Sequence, residues 1–172
     1  QYLHPDWPPD QLVRWYCAPV SAFALNDNCI DVSVRPAAQA DRPALVTLAP
    51  DTQYFEVRNT CTTIAAGPSN VNVSRLPNSD TLVISGKSAL KNAGSTTPVA
   101  VLDPTLFAAT VLKERLAAAG VQVKGPILFA QEHADTSRLQ LLASTSHSLG
   151  GAVRTANKRS QNFYAEMIFK SL

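Results

Sequence analysis

"DPTLFAATVLKERLAAAG" (Asp103–Gly120) is where the texture of the chain changes from short alternating strands to helix. Asp103 is a good N-cap, Pro104 suits the first helical position, and Gly120 suits the C-terminal cap. Between them Ala108, Val111, Leu112 and Leu116 fall on one apolar face. "VQVKGPILFA" (121–130) and "LQLLAS" (139–144) read as strands after this helix, so 97–145 is expected to be a strand–helix–strand unit. Upstream the pattern is that of β-structure. "SAFALNDNCIDVSV" (21–34) reads as a hairpin, with Asn26, Asp27 and Asn28 supplying left-handed conformations and Ile30, Val32 and Val34 alternating with polar residues. Short strands are expected at Leu45–Leu48, Tyr54–Val57, Val71–Val73 and Leu82–Ile84, separated by Pro/Asn/Asp/Gly clusters such as "RLPNSD". The fold class is therefore α+β.

Downstream the chain turns helical from His147, with Leu149, Val153 and Ala156 on one face. A break at "KRS" precedes a second helix, in which Phe163 and Tyr164 are followed four residues on by Met167 and Ile168. Ser160 and Asn162 stand at its start, and the simplest role for Ser160 there is an N-cap.

Composition narrows the function. A chain of 172 residues, 45% hydrophobic and 16% charged, can bury a real core. A net charge of +2 without a Lys/Arg run argues against nucleic acid, and no apolar stretch reaches membrane-spanning length. "QYLHPDWPPD" has neither the charged start nor the apolar core of a signal peptide, which leaves export of a processed chain open. His4, His133 and His147 are scattered and no CxxC occurs, so neither a metal site nor any other cofactor is expected. Of the three cysteines, Cys29 opens a strand and Cys61 follows a strand-rich stretch that can return beside it. A Cys29–Cys61 bond is expected, with Cys17 as the alternative partner; three buried cytosolic thiols would give the same count.

Two serine patterns compete for chemistry. "SALK" (Ser88–Lys91) has the S-x-x-K spacing in which a lysine one helical turn on assists proton removal from a serine nucleophile. It lies in "SGKSALKNAGS", flanked by glycines and poor in apolar residues, and reads as a solvated loop. Ser160-Gln161-Asn162 is equally short but sits between two helices.

Three stretches together resemble one family: "WYCAPVSAFALNDNCIDVSVRP", "VLDPTLFAATVLKERLAAAGVQVKG" and "HSLGGAVRTANKRSQNFYAEMIFKSL". They are similar, in order, to the S13 family of penicillin-binding D-alanyl-D-alanine carboxypeptidases, low-molecular-mass class C enzymes; residues 40–100 resemble it only loosely. The resemblance implies that Ser160-Gln161-Asn162 is the second of three catalytic motifs, S-x-N. S-x-x-K would lie well upstream and K-T-G well downstream, and neither stands in its expected place. The resemblance thus implies an internal piece: β-rich inserted-domain sequence at 1–96, its α/β part at 97–145, and two helices of the transpeptidase-like catalytic domain at 146–172.

In such an enzyme a serine ester forms with the penultimate D-alanine of a peptidoglycan stem peptide, and β-lactams acylate the same serine. Ser160 would relay a proton to the leaving amine. Asn162 would donate to the substrate carbonyl and accept from the first motif's lysine. The family also implies an acidic residue and an aromatic one shortly before an "AP" pair, binding the free amino end of the stem-peptide side chain. Tyr16 matches the aromatic; Asp10 is nearest to the acid, one position off, with Gln11 in the expected place. Packing for Tyr16 and solvation for Asp10 are the plainer roles. The implied partners are stem peptides and β-lactams, and the implied location is periplasmic or extracytoplasmic. The oligomeric state is left open, a homodimer included. The alternatives are an envelope protein that binds peptidoglycan or partners without catalysis, and an unrelated SALK-type amidase.

Overall fold

The structure is a computed structural model and describes residues 3, 5–129, 137 and 140–172. Among the described residues, eight strands and three α-helices make an α+β fold in which β-structure comes first and two of the α-helices follow it toward the C-terminal end. The strands are β1 (Cys29–Arg35), β2 (Leu45–Ala49), β3 (Glu56–Asn59), β4 (Thr62–Ile64), β5 (Asn72–Arg75), β6 (Thr81–Ser85), β7 (Lys87–Ala89) and β8 (Ser95–Ala100). The helices are α1 (Pro104–Ala118), α2 (Leu149–Arg159) and α3 (Asn162–Lys170).

Strand β1 forms because its residues alternate. Ile30, Val32 and Val34 are fully buried, while Asp31 and Ser33 point the other way. It is the centre of an antiparallel sheet, β2-β1-β8, in which the Ser33 and Thr96 hydroxyls bond across the strands at 2.8 Å. A second sheet, β3-β6-β5, centres on β6, whose Leu82 and Ile84 are fully buried; β3 runs parallel to β6 and β5 antiparallel. β4 and β7 form a short parallel pair. One core takes side chains from both larger sheets and from Phe107 and Val111 of α1. Gly86 lets the chain turn tightly between β6 and β7. Its φ is +102°, and a Cβ there would lie 2.1 Å from the Asn70 carbonyl oxygen.

Helix α1 begins and ends where its caps lie. Asp103 accepts from the Leu106 N–H at 2.9 Å, Pro104 is the first helical residue, and Gly120 follows with φ +85°. The buried stripe is Pro104, Phe107, Ala108 and Val111; Ala108 and Val111 are as expected, while Leu112 is 49% exposed and Phe107 takes its place in the core. Phe107 packs against Tyr54 and Phe55 with ring centroids 5.4 Å and 6.0 Å away.

Three other expectations are corrected. Residues 21–25 form no strand, so there is no hairpin; β1 finds its partners in β2 and β8, and only the left-handed turn is as expected. Residues 121–129 and 140–144 are irregular, so the strands after α1 are not formed there; Ala130 and Leu139 lie outside the described residues, as do His4 and His133. Cys17, Cys29 and Cys61 are all buried free thiols. Cys29 packs with Ala18 and Ala100 while Cys61 belongs to the main core, so the expected Cys29–Cys61 bond is absent.

The two larger sheets share one buried cation. Arg75, 6% exposed, donates from Nε to the Ala100 carbonyl at 3.1 Å and from Nη1 to that of Ser79 at 2.8 Å. Nearby, burial pushes the Asp80 carboxyl up, against the opposing pull of the Tyr54 hydroxyl and Arg75. A carboxyl raised in the folded state binds its proton more tightly there than in the unfolded chain. Its contribution to stability is therefore present below the ordinary carboxylate pKa and lost as pH rises through the folded value. Thermal midpoints measured across the acid range should show this fall in wild type and a flatter profile in Asp80→Asn; parallel profiles would refute it.

Candidate active site around the S-x-N triplet

Helix α2 ends and α3 begins within three residues. Ser160 ends α2 in the left-handed conformation, φ +50° and ψ +45°, with its N–H bonded to the Ala156 carbonyl. The N-cap of α3 is Gln161, whose side chain makes no cap bond. Ser160 is therefore not the N-cap expected from sequence, because the preceding helix runs right up to it. A serine at positive φ is unfavourable by about 1–2 kcal/mol. Ser160 is exposed, and among the described residues its hydroxyl has no hydrogen-bond partner.

The next two residues are anchored to the N-terminal half. Gln161, 7% exposed, donates from Nε2 to Asp27 Oδ2 at 2.8 Å. Asn162 donates from Nδ2 to the carbonyl oxygen of Tyr16 at 2.8 Å. Burial, then the Asp27 carboxylate, raises the pKa of the Tyr164 hydroxyl, which bonds to Asp27. Phe163, 6% exposed, seats α3 and meets the Tyr164 ring edge-on at 5.5 Å. Asn162 spends one amide N–H on Tyr16 and keeps a second N–H and Oδ1, so it can still donate to one group and accept from another.

A cleft of about 500 Å³ lies behind the triplet, lined by Trp15, Asp27, Asp31, Pro98, Arg159 and Gln161 among others. Ser160 and Asn162, both exposed, are not in its lining. A groove of about 690 Å³ runs along α3 past Phe163, Tyr164 and Met167. No group of His, Cys, Asp or Glu among the described residues is arranged to hold a metal. No helix among them is long and apolar enough to cross a membrane.

Of the four sequence-expected site residues, the structure joins three. Tyr16 meets Asn162 through its main chain, while its ring packs edge-on against Trp15 at 5.6 Å. Asp10 is exposed on the preceding turn, Pro9–Gln11, where its charge adds to burial in raising the Cys17 thiol. Sequence reasoning missed Asp27 and the buried role of Gln161; the three-residue Asn-Asp-Asn turn signalled only backbone. Ser88 is corrected too. It lies in β7, 1% exposed, with an unpartnered hydroxyl, and exposed Lys91 follows it in a turn, not one helical turn on. A buried strand serine of this kind offers no access to a substrate.

The family model described as D-Ala-D-Ala carboxypeptidase 3 (S13) matches residues 1–172. A D-alanyl-D-alanine carboxypeptidase of Actinomadura sp. (strain R39) is 32% identical over 175 residues, covering 97% of this chain and 32% of that protein. The crystal structure of penicillin binding protein 4 from Haemophilus influenzae superposes with a TM-score of 0.73 at 17% identity, over 99% of this chain and 38% of that one. The same protein complexed with a novel β-lactam matches with a TM-score of 0.62 at 18% identity, over 89% and 35%. The chain thus spans about a third of the length of these relatives. Residues 1–172 match that family model from end to end, and the chain belongs to the D-Ala-D-Ala carboxypeptidase 3 (S13) family.

Proposed function

We propose that this chain supplies the S-x-N element and much of the inserted β-rich region of a serine D-alanyl-D-alanine carboxypeptidase/endopeptidase. The substrates are peptidoglycan stem peptides, β-lactams acylate the complete enzyme, and the place of action is the extracytoplasmic cell envelope. The observation that carries the reading is the presentation of Ser160, an exposed hydroxyl, unbonded among the described residues, held at positive φ beside an anchored Asn162. Backbone strain of this kind concentrates at functional sites. Exposed apolar side chains on α2 and α3 support it: Leu149 is 62% exposed, Val153 40% and Phe169 75%. Such a surface suits two helices that pack against further catalytic-domain structure.

In the complete site an S-x-x-K serine attacks the penultimate D-alanine carbonyl, the peptide bond breaks, and the departing D-alanine amine takes a proton through Ser160. Asn162 holds the substrate carbonyl with its remaining N–H and accepts from the lysine through Oδ1. Tyr16 and Asp10 border the pocket for the amino end of the stem-peptide side chain.

Triad-like sites lose nearly all activity without their nucleophile. Incubated with a fluorescent penicillin, this chain by itself should show no adduct in intact mass spectrometry, whereas the complete enzyme gains one label. A stable adduct on this chain alone would overturn the reading.

A further inference from the structure

Asp27 is the middle residue of the Asn26–Asn28 turn, and all three residues have positive φ: +50°, +54° and +54°. Three successive non-glycine residues in this conformation are unfavourable and persist only when their surroundings impose it. Here they do. Asn28 is fully buried; its Nδ2 donates to the Pro19 carbonyl at 2.8 Å, and its Oδ1 accepts from the Leu25 N–H at 3.2 Å. Asn26 Nδ2 donates to the Cys29 carbonyl at 3.0 Å, and the Asn28 carbonyl accepts from the Val101 N–H at 3.0 Å. The turn is clamped on both sides of Asp27, which leaves that carboxylate a fixed direction.

It points at the S-x-N triplet from 134 residues away in sequence. Asp27 accepts from Gln161 Nε2 at 2.8 Å and bonds to the Tyr164 hydroxyl. These partners bracket Asn162, one residue before it and two after. Pulling Gln161 inward draws the main chain between α2 and α3 toward β1, and Ser160 accommodates this with its left-handed φ. The second anchor, from Asn162 to the Tyr16 carbonyl, fixes the other end.

We infer that Asp27 is a positioning residue for the S-x-N motif, setting the orientation of Ser160 and Asn162 through Gln161 and Tyr164. The inference rests on the function proposed above. Asp27 touches no reacting atom; its effect is to hold the relay hydroxyl and the substrate amide in register. A small misplacement of such groups slows chemistry while leaving ground-state binding nearly intact.

The test compares Asp27→Ala, Asp27→Asn, Gln161→Ala, the Asp27→Ala/Gln161→Ala double variant and Ser160→Ala in the complete enzyme. Limiting acylation rate and half-saturating concentration of a fluorescent penicillin are measured beside the thermal midpoint. Asp27→Ala should lower the limiting rate by roughly 10–100-fold, the scale of a lost alignment, with half-saturation changed by less than about twofold. Asp27→Asn keeps an acceptor oxygen and should return most of the rate. The double variant should be no slower than Asp27→Ala, because the two groups act through one another. Should Asp27→Ala fail to fold, Gln161→Ala removes the donor instead and carries the same expectation. Wild-type rates in Asp27→Ala with a slow Ser160→Ala would overturn the inference and leave the function standing, as would rate losses that multiply in the double variant. A wild-type rate in Ser160→Ala would overturn both.

Discussion

Replacing Ser160 by alanine in the complete enzyme proposed above should slow penicillin acylation by roughly 10²–10⁴-fold, the usual loss with a general acid–base group. The hydroxyl is exposed and, among the described residues, unbonded, so its removal takes away no fold contact. Alanine also accepts the left-handed backbone no better than serine does. The thermal midpoint should therefore stay near wild type, unlike the fall expected of a lost N-cap. Ser160→Gly separates the two aspects of the position. Glycine relieves the positive φ and should stabilise the helix break by about 1 kcal/mol while being as slow as Ser160→Ala. Ser88→Ala is the contrasting control. It removes a buried hydroxyl with no partner, so acylation should not change and stability should hold or rise slightly. Acylation rate and thermal midpoint of the three variants beside wild type decide the matter. A fast Ser160→Ala with a dead Ser88→Ala would remove the site assignment altogether.

How much of this was legible in the chain differs from element to element. The start of α1 was readable because Asp103 and Pro104 are local signals, and the cap bond to Leu106 spans three residues. β1 was readable because period-2 alternation survives wherever one face is buried. β8 was legible only as the strand that opens the expected 97–145 unit, and its first two residues were missed, since "STTPVA" is polar at its start and carries Pro98. It is nevertheless an edge strand opposite Asp31, where a missing N–H is tolerated. β7, "KSA", has no pattern of its own and exists through its parallel pairing with β4. The reverse error is 121–129. "VQVKG" alternates like a strand, but Val121 and Val123 are 51% and 45% exposed and no sheet edge receives them.

The site shows the same division. Ser160 and Asn162 are proposed through a motif, which carries spacing but not geometry. The left-handed φ of Ser160 was hidden because glycine and asparagine, not serine, are the usual signs of that conformation. Asp27 was read as a turn residue, correctly, yet its bond to Gln161 depends on how β1 and α3 meet in space. No local pattern encodes that meeting.

Helix α1 offers the sharpest test of where pattern reading stops. Its sequence is apolar almost all round, so periodicity alone cannot select between neighbouring faces, and Leu112 was assigned to the core. In the structure the buried face keeps Ala108 and Val111 but swings toward Phe107, which is fully buried, and away from Leu112, which is 49% exposed. Phe107 packs against the Tyr54–Phe55 pair, whose own ring centroids lie 4.8 Å apart, and this makes α1 part of the same core as both larger sheets. Phe107→Ala should therefore cost about 3–5 kcal/mol, the range for emptying a buried aromatic site. Leu112→Ala should cost about 1 kcal/mol or less, because half of that side chain already meets water. Urea titrations of the two variants beside wild type compare them directly, with the loss read from the midpoint at an unchanged slope. Equal losses, or a larger one for Leu112, would mean that α1 seats the face read from sequence and that the aromatic cluster is not its anchor.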